Sequence, residues 1–361
     1  MLGTQLSHTG TGTTHPNNIP EEQSSRSRSK GRLPLIAEEV MANLPKHPMC
    51  GSVTGEYLSN EDGSVQVPAF FMDAEKFQRI QSDLKTYKWN DSDFLLATFP
   101  KCGTHFMWET MMMLLKGSAD YISASKTLLM VDACPVGMSN KVFPSPRVLN
   151  THYRIDVLPG EFRKGKTVAL MRNPKDTCVS YYYHYKNITM SMKDEPNPFE
   201  NLTFAQFMEL FLHDKDLPYG SYFDYIEYMW SLRDDPNILV VFYEDLKMNS
   251  IDTIQRLNEF MGTNRSPELV KEIADAVNFD KMKVGKTTGP PSKEMIAVMK
   301  TQSPNPEAIL EKLRLGTLQI YRKGGIGDWK NHLTVAQNEH FDSFLKGWEA
   351  GKDIPFKYSQ N

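Results

Sequence analysis

Short apolar runs alternate with longer segments of helical periodicity along most of the chain. The runs at 94–98, 147–151, 167–171 and 238–242 are rich in β-compatible residues and predict buried strands, and a shorter strand is predicted at 64–67. Helix-forming segments follow most of these runs. Strands that alternate with helices form a parallel sheet with helices on both faces, so the pattern predicts an α/β fold.

The clearest unit of this kind runs from Asp93 to Trp108, where a strand, a turn and an apolar helix beginning at Thr104 follow one another. A loop between a buried strand and a helix directs backbone N–H groups and the positive end of the helix dipole at one point. Lys101 adds a full charge there, and Gly103 allows close backbone approach. The loop therefore predicts a phosphate or sulfate site. It lacks the GxxxxGK[ST] spacing, which disfavours an NTPase.

Composition narrows the class of protein further. The 361 residues carry a formal charge of −3, which does not favour a nucleic-acid partner. The four cysteines form no CxxC pair, and the sequence contains no apolar run of the roughly 20 residues that a membrane span needs. We expect a cytoplasmic protein with a disordered polar extension at 1–34 and one folded domain at 35–361.

Two further motifs carry cationic residues at predicted strand or helix ends. The first, RNPKDTCVSYYYHYK at 172–186, places Arg172 at the end of a predicted strand and Ser180 eight residues later in a predicted helix. The second, RKGGIGDWKNHLTVAQNEHF at 322–341, begins with a glycine-rich cationic loop and continues into a helix for which Thr334 is the predicted N-cap.

Together with TFPKCGTHFMWE at 98–109, these motifs resemble those of the cytosolic sulfotransferases, which use 3′-phosphoadenosine 5′-phosphosulfate (PAPS). The resemblance extends over about residues 45–350 and includes the landmarks SPRVLNTH, VVFYEDL and NFDKMK. It implies a P-loop-NTPase-like sulfotransferase fold and sulfuryl transfer to a hydroxyl or amine of a small acceptor.

The resemblance also implies roles for individual residues. His152 is expected to act as the general base, and Lys101 to stabilise charge on the departing phosphate. This scheme requires no metal, and the sequence shows no His/Cys/Asp cluster with convincing ligand spacing. The expected PAPS-binding residues are Lys101, Cys102, Gly103, Thr104, His105, Phe106, Arg172, Ser180, Tyr243, Phe279, Arg322, Lys323 and Gly324.

The glycine-rich loop that begins at Arg322 resembles the closing nucleotide loop of the family, and we call it the closing loop. The segment after it resembles the KxxxTVxxxE dimer motif of the family. Lys330, Thr334, Val335 and Glu339 occur at its spacing. We therefore expect a homodimer in which the lysine of one chain meets the glutamate of the other.

Several positions depart from the family pattern. Cys102 and His105 replace hydroxyl residues, Phe106 replaces a tryptophan, Asn150 replaces a lysine and Val277 replaces a threonine. We expect weaker PAPS binding from these changes. The alternative is a non-catalytic PAPS-binding or dimerising relative of the family.

The acceptor cannot be identified from the sequence. The candidate pocket residues are aromatic or apolar side chains that could equally belong to the core. They are Phe70, Phe71, Met72, Tyr153, Tyr185, the Met190–Met192 loop and the segment 280–320, which we expect to form an enlarged lid.

Overall fold

The computed structural model describes residues 57–60, 65–68, 72–122, 126–136, 140, 143–187, 201–213, 217–287 and 322–360. The predicted disordered extension lies outside the described residues, as do Phe70, Phe71 and the Met190–Met192 loop. The predicted lid lies outside them from residue 288 onward.

A four-stranded parallel sheet forms the centre of the molecule, preceded by a two-stranded antiparallel sheet. The predicted central sheet is therefore confirmed, and the strand predicted at 64–67 is found at 66–68. The strands are β1 (Tyr57–Ser59), β2 (Gln66–Pro68), β3 (Phe94–Thr98), β4 (Val148–Thr151), β5 (Lys166–Met171) and β6 (Ile238–Phe242). The large sheet has the order β4-β3-β5-β6.

The described part of the chain contains ten α-helices, together with short 3₁₀ turns, and five of these helices follow the last strand. They are α1 (Ala74–Thr86), α2 (Thr104–Lys116), α3 (Pro174–Asn187), α4 (Phe204–His213), α5 (Tyr222–Ser231), α6 (Tyr243–Met248), α7 (Ser250–Met261), α8 (Pro267–Ala276), α9 (Phe279–Thr287) and α10 (Val335–Gly347). None of the described helices is long and apolar enough to cross a membrane.

The hydrophobic core surrounds β3, in which all five residues are buried. Helix α2 is buried nearly all round, as its apolar sequence predicted, and the Trp108 indole donates to the Val148 carbonyl (2.9 Å). Arg147 lies just outside β4, where its side chain forms a buried ion pair with Asp93 (3.1 Å). This pair ties together the beginnings of two neighbouring strands.

Because the four central strands run parallel, their carboxyl ends lie at one edge of the sheet. The loops that leave this edge carry Lys101, His152, Arg172 and Tyr243. This is the edge at which open α/β sheets bind ligands.

Candidate active site

The loop between β3 and α2 holds two residues with positive φ, Lys101 (+69°) and Gly103 (+108°). Gly103 is the N-cap of α2. A Cβ atom at this position would lie 2.5 Å from Cδ2 of Tyr243, so the ring of Tyr243 packs where only a glycine leaves room. The loop is thereby fixed against the end of β6 at the N-terminus of a buried helix.

The residues that follow Lys101 in the loop face different surroundings. The Cys102 thiol is fully buried, lies 3.7 Å from the Thr177 hydroxyl and has its pKa raised to about 12, chiefly by burial. A thiol with this pKa stays protonated and unreactive. Thr104 is buried in the first turn of α2, and His105 beside it is half-buried. The structure thus turns the Cys102 side chain to the core and leaves Thr104 at the helix N-terminus.

The ammonium of Lys101 lies beside His184. Its Nζ lies 3.4 Å from Nδ1 of His184, which belongs to α3. Burial, followed by the charges of Lys126, Arg172 and Arg322, lowers the pKa of Lys101 to about 7. Burial is the main cause of this lowered pKa, and the neighbouring cations that contribute to it are charges that an anionic ligand would neutralise.

His152 has a defined tautomer. Its Nδ1 lies 2.7 Å from the Thr98 carbonyl, which can only accept, so Nδ1 carries the proton and Nε2 has a lone pair. Burial, and then the charge of Lys126, lowers the pKa of the imidazole to about 3. The backbone N–H of His152 donates to Asp132 (2.7 Å), which also accepts from the Thr151 hydroxyl (2.5 Å). The ring is therefore neutral and held in one orientation.

Three residues of this centre were missed by the sequence analysis: Lys126, Asp132 and His184. Lys126 is buried, and its Nζ lies 3.3 Å from the side-chain oxygen of Asn150, whose amide donates back to the Lys126 carbonyl (2.9 Å). Asn150, which replaces the family's lysine, thus holds a lysine supplied by a 3₁₀ turn. No sequence signal indicates Lys126 or Asp132. His184, however, lies one helical turn after Ser180, and that spacing could have pointed to it.

Arg172 follows β5 and is buried. Its two terminal nitrogens donate to the carbonyls of Lys101 (3.2 Å) and Gly325 (2.9 Å), and its guanidinium lies 4.4 Å from the Tyr243 ring centre. Its Nε is buried and has no hydrogen-bond partner in the described part of the chain. Ser180 lies half-buried two turns along α3. The guanidinium therefore links the loop between β3 and α2 to the closing loop, while its Nε–H makes no hydrogen bond within the described part of the chain.

The closing loop supplies a second arginine and a lysine. Arg322 and Lys323 both bond to Asp328, at 2.7 Å and 2.9 Å. Although burial acts in the opposite direction, the hydrogen bonds that this carboxylate accepts hold the pKa of Asp328 well below its usual range. The Arg322 guanidinium lies 5.1 Å from the Tyr183 ring centre, and its Nε, like that of Arg172, is buried without a partner among the described residues.

Aromatic side chains lie beside these cations. Phe106 meets Tyr243 edge to face with ring centres 6.0 Å apart, and the Tyr243 hydroxyl donates to the Gly324 carbonyl (2.9 Å). A Cβ atom on Gly324 would lie 2.1 Å from the Phe279 ring. Lys247 Nζ lies 5.9 Å from the centre of Phe106 and 5.6 Å from that of Phe279. The structure therefore brings together the aromatic residues that the sequence assigned to the nucleotide, whereas Val277, close to Phe279 in sequence, is fully buried.

Several tyrosines lie near His152, in the region where the sequence predicts the acceptor pocket. Tyr219, with φ of +68°, places its ring 5.2 Å from the imidazole and 5.5 Å from the ring of Tyr153. Tyr153 is buried, and its hydroxyl has no hydrogen-bond partner in the part of the chain that the structure describes. Tyr185 packs against Tyr181 at 4.6 Å, and Met72 is buried in the core. Of the predicted acceptor residues, Tyr153 shares the neighbouring ring of Tyr219 with His152.

The predicted dimer residues run from a 3₁₀ turn at Asp328–Asn331, which contains Lys330, into the first turns of α10. Lys330, Thr334, Val335 and Glu339 are all exposed, and Thr334 caps the helix through a capping box with Gln337, as predicted for an N-cap.

Comparison with known proteins identifies the family. The family model described as "Sulfotransferase domain" matches residues 91–354. Sulfotransferase 1C2 from Rattus norvegicus is 32% identical over 287 residues, which cover 76% of this chain and 89% of the relative. Sulfotransferase 1A1 from Mus musculus is 32% identical over 302 residues, covering 81% of this chain and 94% of the relative.

Solved structures share the fold. Mouse sulfotransferase SULT7A1 complexed with PAP matches with a TM-score of 0.60 and 24% identity, over 82% of this chain and 95% of that one. Retinol dehydratase in complex with androsterone and PAP matches with a TM-score of 0.59 and 17% identity, over 90% and 96% of the two chains. The predicted fold is thus confirmed, and by sequence the chain belongs to the sulfotransferase family.

Proposed function

We propose that this sulfotransferase transfers the sulfuryl group of PAPS to a hydroxyl or amine of a small acceptor, with His152 as the general base. The observation that carries the proposal is the tautomer of His152. Because Nδ1 donates to the Thr98 carbonyl, the lone pair of Nε2 is available to take a proton. The lowered pKa of the imidazole keeps this nitrogen unprotonated at neutral pH.

The cations of the site fit a donor that is charged at two ends. Lys101 and the N-terminus of α2 support the phosphosulfate end. Arg172 and Arg322, each with a buried and unused Nε, support the 3′-phosphate end, with Ser180 and Lys323. Buried donors without partners are costly, and an anion would satisfy them. Phe106, Tyr243 and Phe279 then form the surface for the adenine.

The proposed reaction is an in-line displacement at sulfur. The acceptor oxygen or nitrogen forms a bond to sulfur, the bond between sulfur and the phosphate oxygen breaks, and the acceptor proton passes to Nε2 of His152. The ammonium of Lys101 stabilises the charge that develops on the departing phosphate oxygen. Lys126, held by Asn150, adds a second buried cation in place of the lysine that the family carries on β4.

Titration calorimetry with nucleotides tests the donor site. We expect adenosine 3′,5′-bisphosphate to bind more tightly than AMP, because the second phosphate meets Arg172 and Arg322. Equal affinities for the two nucleotides would show that the 3′-phosphate site is not formed.

An acceptor screen with labelled PAPS over phenols, steroids, alcohols and amines tests the activity. Turnover of at least one class is expected. Tight binding of the bisphosphate without turnover of any acceptor would instead support the alternative, a non-catalytic PAPS-binding relative. We also propose that the protein is cytoplasmic and forms a homodimer through Lys330, Thr334, Val335 and Glu339.

A further inference from the structure

A cluster of two histidines and one glutamate lies away from the residues assigned to catalysis. Glu209 and His213 lie one turn apart on α4, and His340 faces them from α10. These are the three residues whose ligand atoms, among the described residues, come within 4.8 Å of one another in an arrangement that could hold a metal ion. The sequence did not reveal the cluster, because His340 lies 131 residues after Glu209.

Two of the three distances between the ligand atoms are close to the edge length of a small coordination tetrahedron, and all three are within 4.8 Å. Oε2 of Glu209 lies 3.3 Å from Nε2 of His340 and 3.6 Å from Nε2 of His213. Ligands placed about 2.0–2.1 Å from a zinc ion in tetrahedral directions lie about 3.4 Å apart. The 3.6 Å separation between Glu209 and His213 exceeds a hydrogen bond, whereas Nε2 of His340 also lies 3.0 Å from Oε1 of Glu209, which is within hydrogen-bond distance.

The donor set and the burial also fit a borderline divalent cation. Two imidazole nitrogens and one carboxylate oxygen are ligands that zinc commonly uses. The Glu209 side chain is 4% exposed, whereas those of His213 and His340 are 14% and 21% exposed. The carboxylate is therefore the least exposed of the three ligands, and the two histidines lie nearer the solvent. Around them, Phe344 packs its ring 5.1 Å from that of His213.

We propose that Glu209, His213 and His340 bind one zinc ion per chain and that this ion crosslinks α4 to the C-terminal helix α10. The proposal does not depend on the proposed catalytic function. Its competitor is a metal-free network in which Nε2 of His340 donates a hydrogen bond to Glu209 (3.0 Å).

Thermal unfolding of the full chain with zinc chloride or with EDTA distinguishes the two. We expect zinc to raise Tm by about 5 °C when the free ion exceeds its Kd a hundredfold. The variants His340→Gln and His213→Gln should each lose this rise, and His15→Gln, which removes a histidine outside the cluster, should keep it. A rise that is absent from wild type, or that persists in both cluster variants, would overturn the proposal.

Cobalt titration of the wild-type protein gives a readout that does not depend on how well a variant folds. Tetrahedral coordination by nitrogen and oxygen produces visible absorption bands far stronger than those of hydrated Co²⁺. We expect such bands to saturate at one equivalent per chain and to disappear on addition of zinc. Spectra that match hydrated cobalt throughout the titration would exclude the site.

Discussion

At the scale of single residues, His152 and Lys101 have separate tasks. The imidazole is oriented by the Thr98 carbonyl and is proposed to act on the acceptor, whereas Lys101 is proposed to act on the donor. We expect His152→Ala and Lys101→Ala each to lower turnover by about 10²-fold or more. Only Lys101→Ala should also weaken binding of the donor. Steady-state kinetics of both variants checks this, and near-normal turnover by His152→Ala with a good acceptor would remove the general-base assignment.

The pKa of Lys101 predicts a pH dependence. The ammonium, with a pKa lowered to about 7 in the free protein, loses its proton as pH rises through that value. If the protonated form binds PAPS, kcat/KM for PAPS should fall about tenfold per pH unit well above pH 7, because this parameter reports on the free enzyme. A pH–rate profile that stays flat from pH 7 to 9 would contradict the assignment.

The contribution of Lys126 to the lowered pKa of Lys101, which is smaller than that of burial, can be tested in the same assay. Lys126 is the neighbouring cation with the largest effect on Lys101. We expect Lys126→Met to shift the alkaline limb of the profile to higher pH, because removal of a like charge favours the protonated lysine. An unshifted limb would mean that the charge of Lys126 does not act on Lys101.

Asn150 illustrates a limit of prediction from single residues. Compared with the family pattern, the sequence lacks a lysine at this position of β4. The structure places the Lys126 ammonium 3.3 Å from the Asn150 oxygen, across 24 residues of sequence. Such a pairing depends on the path of the intervening chain, which neither periodicity nor motif spacing encodes.

At the scale of elements, the turn from β3 into α2 depends on Gly103. A side chain there would be strained by φ of +108° and would meet the Tyr243 ring at 2.5 Å. The left-handed backbone alone costs about 1–2 kcal/mol for an L-residue. We expect Gly103→Ala to lower Tm and to raise the Kd for adenosine 3′,5′-bisphosphate about tenfold, equivalent to ~1.4 kcal/mol of lost binding.

Gly262→Ala is the matched control for this substitution. Gly262 also has positive φ (+68°), but a Cβ atom added there would meet no neighbouring group within 4 Å, and the residue caps α7 away from the loop. The substitution should lower Tm through backbone strain while leaving nucleotide affinity unchanged. Equal effects of the two variants on Kd would show that the contact with Tyr243 is unimportant.

The elements themselves follow closely from the sequence. The apolar runs at 94–98 and 238–242 are strands with the predicted bounds. All five residues of the central strand β3 are buried, as a continuous apolar run predicts, whereas in the edge strand β6 only Val241 and Phe242 are buried. Thr334 caps α10, as its position before a helical segment predicts. The bonding of Arg322 and Lys323 to Asp328 could not be predicted, since the motif shows the charges but not which carboxylate they meet.

At the scale of the whole molecule, distant segments meet in ways that only the fold determines. The closing loop contacts the end of β5 through Arg172 and Gly325, which are 153 residues apart, and Glu209 meets His340. The family motifs predicted that Arg172 and the closing loop lie close together, because the resemblance implies the fold of the family. They did not predict that Glu209 meets His340, since none of the three motifs contains the pair Glu209 and His213.

The exposed residues at the beginning of α10 are consistent with the proposed homodimer. Val335 is 77% exposed, which is unusual for a large apolar side chain and fits a contact with a second copy. Lys330 and Glu339, which are also exposed, flank it at the spacing of the family's dimer motif. In a two-fold contact each lysine would meet the partner's glutamate while the valines pack together. So short a patch buries far less than the ~1,600 Å² of a standard interface, so a single change should disrupt it.

Val335→Glu tests this homodimer. The substitution places two like charges at the symmetry axis, and it should not harm the fold because an acidic residue in the first turn of a helix favours the dipole and α10 has none there. We expect light scattering at micromolar concentration to show a dimeric wild type and a monomeric variant with unchanged Tm. Ile251→Glu, which alters another exposed apolar residue (45%) on α7, should remain dimeric. A monomeric wild type, or a Val335→Glu variant that stays dimeric, would contradict the proposed interface.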